Sequence, residues 1–251
     1  MLISLLFSDL DLKYKIIYLL IDLIVIVVSL SFHEWGHAFA AYKNGDDTAK
    51  NFGRMTVNPA AHIDPTGLLM LLIVGFGWAK PVPVNPRNYR NFRRGEFIVS
   101  FAGIFMNLML ALIAALAVTV VAIFDLKAYG APVTAENIRI LAAIGGSAEF
   151  SPVVYMLLYM LGITNCALAV FNLIPVYPLD GSHIFDLLFG KLVGPKVLMW
   201  LHRNGRFVLI GFLVLSMLAS RIWGVSIIGD AAEWIYSGFV SLFSLAAGIF
   251  A

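Results

Sequence analysis

Several stretches of this chain are apolar for long enough to cross a lipid bilayer, and that fixes its solvent before anything else. A hydrocarbon core about 30 Å thick takes roughly 20 apolar residues of helix. The runs Tyr14 to Ala41, Phe97 to Phe124, Val153 to Leu173 and Phe207 to Trp223 are of that order. Composition agrees: 61% of the 251 residues are apolar and 13% are charged, about half the charge of a typical soluble domain. The expected fold class is an all-α polytopic membrane protein.

Two further segments bring the expectation to about five to six. Thr66 to Ala79 is apolar but short and holds Gly67, Gly75 and Gly77. The tail from Ser226 to Phe250 contains Asp230 and Glu233, so it either spans or lies at the interface. The polar connections, chiefly Tyr42 to Pro65 and Pro81 to Glu96, are rich in Pro, Asn, Gly and Arg and read as turns with short β-like pieces. None is long enough for a separate soluble domain. Residues 1–251 therefore read as one integral-membrane domain, with a core over about 14–190 and C-terminal helices over about 206–250. Met1 to Leu12 has Asp9 and Asp11 but no Lys or Arg, unlike the positive start of a cleaved signal peptide, so the first helix is expected to remain. Cys166 is the sole cysteine, which rules out an intrachain disulfide.

The cations predict topology rather than a nucleic-acid partner, because no basic block is interleaved with aromatics. Lys43, Lys50, Arg54, Lys80, Arg87, Arg90, Arg93 and Arg94 lie between the Tyr14–Ala41 and Phe97–Phe124 runs. Lys191, Lys196, Arg203 and Arg206 lie between the Val153–Leu173 and Phe207–Trp223 runs. Together they are 12 of the 17 Lys and Arg. Both groups can face the cytoplasm only if Thr66–Ala79 enters and leaves on one side. A re-entrant segment is allowed where protein or water shields its backbone.

The first apolar run ends in Phe32-His33-Glu34-Trp35-Gly36-His37. Two His at i and i+4 share one helical face and can place two imidazoles on one metal ion. Glu34, about 100° round the helix, can reach the water that the metal activates, as in zinc hydrolases. A catalytic zinc takes three protein ligands and keeps a fourth position open. Asp180, in Pro175-Val176-Tyr177-Pro178-Leu179-Asp180-Gly181, is the third candidate. A re-entrant second segment puts it on the same membrane side as His33 and His37. His62, in a Pro-flanked loop with Asp64, is the rival.

Four ordered stretches together resemble the site-2 protease family over roughly Ser29 to Phe185. They are His33-Glu34-x-x-His37, Asn58-Pro59-Ala60-Ala61-His62-Ile63-Asp64-Pro65, Gly77-Trp78-Ala79-Lys80-Pro81-Val82-Pro83-Val84-Asn85-Pro86, and Asn172-x-x-Pro175-x-x-Pro178-Leu179-Asp180-Gly181. The likeness is to the minimal prokaryotic branch, without PDZ or CBS domains. It implies an intramembrane zinc metalloprotease that cuts transmembrane segments near the cytoplasmic face of a prokaryotic cell membrane. By that resemblance one Zn2+ is held by His33, His37 and Asp180, and Glu34 is the catalytic acid/base. Its substrates would be membrane-anchored transcription or anti-sigma factors, or remnant signal peptides. With no tethered sensing domain, control would come from the membrane core, a regulatory membrane partner or prior trimming. One departure stands out: many members read Gly-Pro-x-x-Asn where this chain has Gly103-Ile104-Phe105-Met106-Asn107. Asn107 matches the family's polar position, which supports the oxyanion or the substrate.

The other polar residues are read singly. Asn172 either hydrogen-bonds an unwound substrate or makes an interhelical bond. Asn165 is expected to bond between helices. Asp22 marks a wet groove or an interhelical bond. His183 is either a partner of the site or interfacial, the latter preferred. Asn51 to Val57 or Ala79 to Val84 is expected to offer an edge on which a substrate strand extends. Two other classes stand beside the protease, a divalent-metal transporter and a metal-stabilised scaffold. The lack of an inverted repeat argues against the first, and the intact Glu34 against the second.

Overall fold

The computed structural model describes residues 11–74, 77–144 and 151–250. The described residues form helices and turns, with no strand among them. Helix α1 spans Leu12–Lys43, α2 Thr48–Asn51, α3 Pro65–Val74, α4 Phe92–Ala128, α5 Ala135–Ile144, α6 Ser151–Asn172, α7 Asp180–Val193, α8 Pro195–Trp223 and α9 Ile227–Phe250. Five of them, α1, α4, α6, α8 and α9, are long and apolar enough to cross a membrane. The tail thus has the length of a span.

Several helices outrun the apolar runs from which the sequence predicts them. α4 starts at Phe92 rather than near Phe97, and α8 starts at Pro195 rather than Phe207. Helix formation needs only satisfied backbone groups. The polar turns Phe92-Arg93-Arg94 and Pro195-Lys196 continue the helix beyond the depth that hydrocarbon demands. Asn91 caps α4 by accepting the Arg94 N–H at 3.0 Å, and Pro195 sits in the first turn of α8, where no amide hydrogen is needed.

The core is built round α4. Its Ala111, Ala114, Ala115, Val118 and Ala122 pack with Ile138 of α5, Tyr155 and Cys166 of α6, and Ala232, Tyr236 and Val240 of α9. Small residues let backbones approach closely, which matters where lipid supplies no hydrophobic drive between helices. α1 lies against α4 and α6. There Gly36 meets the Ala102 carbonyl of α4 so closely that a Cβ would stand 2.7 Å from Met106 Cγ. α8 is peripheral: only Gly205 and Leu209 are buried, and it packs on α7.

The short second segment doubles back. α3 has ten residues, about 15 Å of helix, and is not among the spans. Lys80 N–H donates to the His62 carbonyl at 2.8 Å, and Gly67 lies directly against the Trp78 carbonyl. The chain therefore leaves the segment beside the point where it entered. Of the two stretches expected to offer a substrate edge, Asn51 to Val57 is no strand. Asn51 closes α2 and Gly53 turns with φ +66°, a left-handed conformation suited to glycine. Residues 77–85 lack regular structure, and Pro81 and Pro83 push Lys80 and Val82 towards extended conformations.

Asp46 ties this loop to the end of α1. It is fully buried and accepts from Asn85 N–H at 2.6 Å, Asn88 Nδ2 at 2.8 Å, and the Thr48 N–H and hydroxyl. Burial alone would push its carboxyl up, but the bonds from Asn85, Thr48 and Asn88 outweigh it and hold it below the usual carboxylate value.

Candidate metal centre

The histidines sit in the last turns of α1, where their four-residue spacing stacks them on the side facing α4. Both rings are anchored through Nδ1. His37 Nδ1 is 2.7 Å from the Val99 carbonyl; a carbonyl only accepts, so this nitrogen carries the proton. His33 Nδ1 is 2.6 Å from Asn107 Oδ1 and donates to it. Each Nε2 is thereby left with a bare lone pair, and the two lie 3.0 Å apart.

Asp180 completes the group from the first turn of α7. The chain leaves α6 at Asn172 and folds through successive turns, with the Tyr177–Pro178 peptide cis. Asp180 Oδ2 stands 3.3 Å from His33 Nε2 and 3.3 Å from His37 Nε2. That oxygen is buried and receives no hydrogen bond. Three electron-rich atoms thus meet with no proton among them, an arrangement that calls for a cation. Their spacing suits zinc: bonds of about 2.0–2.1 Å at tetrahedral angles put ligand atoms roughly 3.3 Å apart. Among the described residues these are the three that form a group capable of holding a metal.

Glu34 lies beside the group. It is buried, and its Oε2 accepts the Val82 N–H at 2.8 Å. In Pro81-Val82-Pro83 that amide is the one available, because proline has none. Arg54 holds the same loop, donating to the Lys80 carbonyl at 2.7 Å and the Pro81 carbonyl at 3.3 Å. Glu34, both histidines and Asp180 open on a cavity of about 430 Å³, walled by Trp78, Val82, Val84, Phe171 and Leu209.

The other expected residues fall in several places. Asn107 has no exposed surface and does not line the cavity. It was expected to face substrate or an oxyanion; its contacts make it instead the partner that orients His33. The reason is steric, since α4 packs its Asn107 face against α1 and α6. Asn172 does line the cavity, but its amide donates back to the Leu168 carbonyl of its own helix at 3.0 Å. His62 stands apart from the group, with Nε2 donating to the Thr56 carbonyl at 2.7 Å. Asp64 caps α3 through Thr66 and Gly67 N–H, both at 2.9 Å. His183, at the cavity mouth, pairs with Glu96 at 2.9 Å, and that hydrogen bond raises its pKa above the usual imidazole value. Asp22 is buried beside Ile21 and Val25, with one oxygen lacking a partner.

Gly103 escaped the sequence reading as a part of the site. A Cβ there would overlap His37 Nε2 and stand 2.6 Å from His33 Cε1. Both imidazoles come this close to α4 because this residue has no side chain. Its position four residues before Asn107 was visible, but no local pattern shows which helix face meets the histidines.

Comparison with known proteins gives concordant results. Residues 21–216, which include all four residues of the centre, match the model of Peptidase family M50. A Bacillus subtilis (strain 168) protein named "Putative zinc metalloprotease YwhC" is 39% identical over 193 residues, covering 76% of this chain and 78% of its own. "Zinc metalloprotease MJ0392" of Methanocaldococcus jannaschii is 24% identical over 198 residues, covering 77% of this chain and 43% of its own. No solved structure gives a significant match.

Proposed function

Because the chain belongs to Peptidase family M50 and is a zinc metalloprotease, we propose that it cuts other proteins within their membrane-spanning segments. The observation behind this is the placement of His33, His37 and Asp180, with Glu34 beside them, on a cavity walled by apolar residues of a membrane-type bundle. Family resemblance and the cation distribution favour an active end on the cytoplasmic side of a prokaryotic membrane. The same resemblance favours membrane-anchored transcription or anti-sigma factors and signal-peptide remnants as substrates, under a regulatory membrane partner.

A peptide bond in an intact helix is closed to attack, since its carbonyl is bonded four residues on. The substrate must therefore extend. Residues 81–84 offer a place for this, as Val82 and Val84 line the cavity. Among the described residues, neither the Val82 carbonyl nor the Val84 N–H has a hydrogen-bond partner. A strand added there would lie beside Glu34. His33, His37 and Asp180 would hold zinc, which when bound polarises the scissile carbonyl and lowers the pKa of water. Glu34 takes a proton from the attacking water and returns it to the leaving amine. Val82 N–H keeps the Glu34 carboxylate at the cavity wall meanwhile.

The test pairs metal content with cleavage of a helical substrate in detergent. Wild type and Glu34→Gln should hold about one zinc per chain, with turnover lost in the variant. His37→Ala and Asp180→Asn should hold less. Near-normal cleavage by Glu34→Gln would sink its role, and zinc indifferent to Asp180→Asn would return His62 to consideration. Metal transport across vesicles without cleavage would favour the transporter.

A further inference from the structure

The bond between Asn107 and His33 raises a question of direction: an amide can present either end, and only its oxygen suits a metal-binding His33. We propose that Asn165 and Ser29, neither of which reaches the cavity, are positioning residues that dictate the His33 tautomer through Asn107. The inference rests on His33 being a zinc ligand.

The direction can be followed from one end to the other. Ser29 hydroxyl donates to the Val25 carbonyl at 2.6 Å, so its single proton is spent and its oxygen faces Asn165 as an acceptor. The Asn165 amide nitrogen lies 2.8 Å from Ser29 Oγ and 2.8 Å from the Leu161 carbonyl. Since a backbone carbonyl can only accept, this end of Asn165 must be its NH2, and both hydrogens are used. Asn165 therefore turns its oxygen to Asn107, whose Nδ2 lies 2.7 Å away and donates. The other hydrogen of Asn107 points to the Ser29 carbonyl at 3.5 Å. What remains of Asn107 is its oxygen, set 2.6 Å from His33 Nδ1. His33 must then carry its proton on Nδ1 and offer a lone pair at Nε2.

The opposite sense is excluded locally. Turning Asn107 over would bring two amide oxygens together at 2.7 Å and would move the His33 proton to Nε2, towards Asp180. Ser29, Asn107 and Asn165 have no exposed surface, so no water can relieve such a clash. The chain joins α1, α4 and α6, and two backbone carbonyls of regular helix terminate it. Helical geometry thus sets the proton position on a metal ligand. The same groups could serve only to fasten three helices together; the two roles differ in what they do to zinc.

The experiment measures zinc affinity of the full chain in detergent by competition with a chromophoric chelator, alongside thermal unfolding of the metal-stripped protein. Asn165→Leu should weaken zinc binding on the order of tenfold, the lower end of what loss of a ligand's orienting partner costs. Ser29→Ala, a minimal change, should weaken it several-fold in the same direction. Asn107→Leu should weaken it at least as much as Asn165→Leu, and the double variant no more than Asn107→Leu alone, because one acts through the other. The double variant removes the bond between the two amides from both sides but still leaves His33 Nδ1–H without its acceptor, so its metal-free unfolding should be lowered no further than in Asn107→Leu alone. Wild-type affinity in Asn165→Leu and Ser29→Ala, with His33→Ala still defective, would overturn this inference and leave the metal centre standing. Fully additive penalties from Asn107 and Asn165 would overturn it too. An unchanged affinity in His33→Ala would remove the metal centre itself.

Discussion

At the scale of single residues, the centre depends on what is missing as much as on what is present. Gly103 lets both imidazoles lie against α4. Gly103→Ala should therefore lower zinc affinity by about tenfold or more, as expected when ligands lose their orientation, while a small side chain in a helix costs little by itself. Chelator competition on the variant would check this, and wild-type affinity would mean that α1 or α4 shifts freely. Val82 is the complementary case, where a single amide matters. Val82→Pro deletes the N–H that Glu34 accepts, whereas Val82→Ala keeps it. Loss of a hydrogen bond to a charged group is worth about 1.5–3 kcal/mol. The proline variant should then turn over roughly 10–100 times more slowly with its zinc retained, and the alanine variant should not.

At the scale of elements, the loop after α3 is held by side-chain hydrogen bonds instead of a sheet. Asp46 gathers Thr48, Asn85 and Asn88, and Arg54 grips the carbonyls of Lys80 and Pro81. Asp46→Asn should lower the unfolding temperature, by about 1–3 kcal/mol of stability for weakened charged hydrogen bonds. The sign of its pH dependence follows from its lowered folded-state pKa. The stabilisation is complete above the unfolded value of about 3.9 and is lost as pH falls through the folded one. Unfolding temperature should thus fall more steeply below about pH 4 in wild type than in Asp46→Asn. Parallel pH profiles would show that the charge of Asp46 contributes nothing.

For the whole molecule, the decisive feature is that α3 returns the chain to where it entered. This sets the end of α1 and the start of α7 at one end of the bundle, where their ligands meet. Single cysteines can test it, because Cys166 is fully buried and gives little background. Phe52→Cys and Leu192→Cys, both at exposed positions near that end, should react with an impermeant thiol reagent from one membrane side. Tyr129→Cys, past the far end of α4, should react from the other. Labelling of Phe52→Cys and Leu192→Cys from opposite sides would mean that α3 crosses.

Much of this was legible in the order of residues, because the forces involved are local or averaged over a segment. Hydrocarbon demands long apolar helices wherever it is met, cations sort loops by side, and a four-residue spacing puts His33 and His37 on one helical face. Asp180 could be inferred because only a re-entrant second segment brings it to them. The tertiary structure alone decided the rest. Asn107 looked like a group for substrate until α4 turned it towards His33 and Asn165. Gly103, Val82 and Asp46 acquired roles from neighbours far away along the chain. Hydrogen bonds and close contacts are short and directional, so the partner of a side chain depends on how helices are rotated against one another. No pattern within a single helix records that rotation.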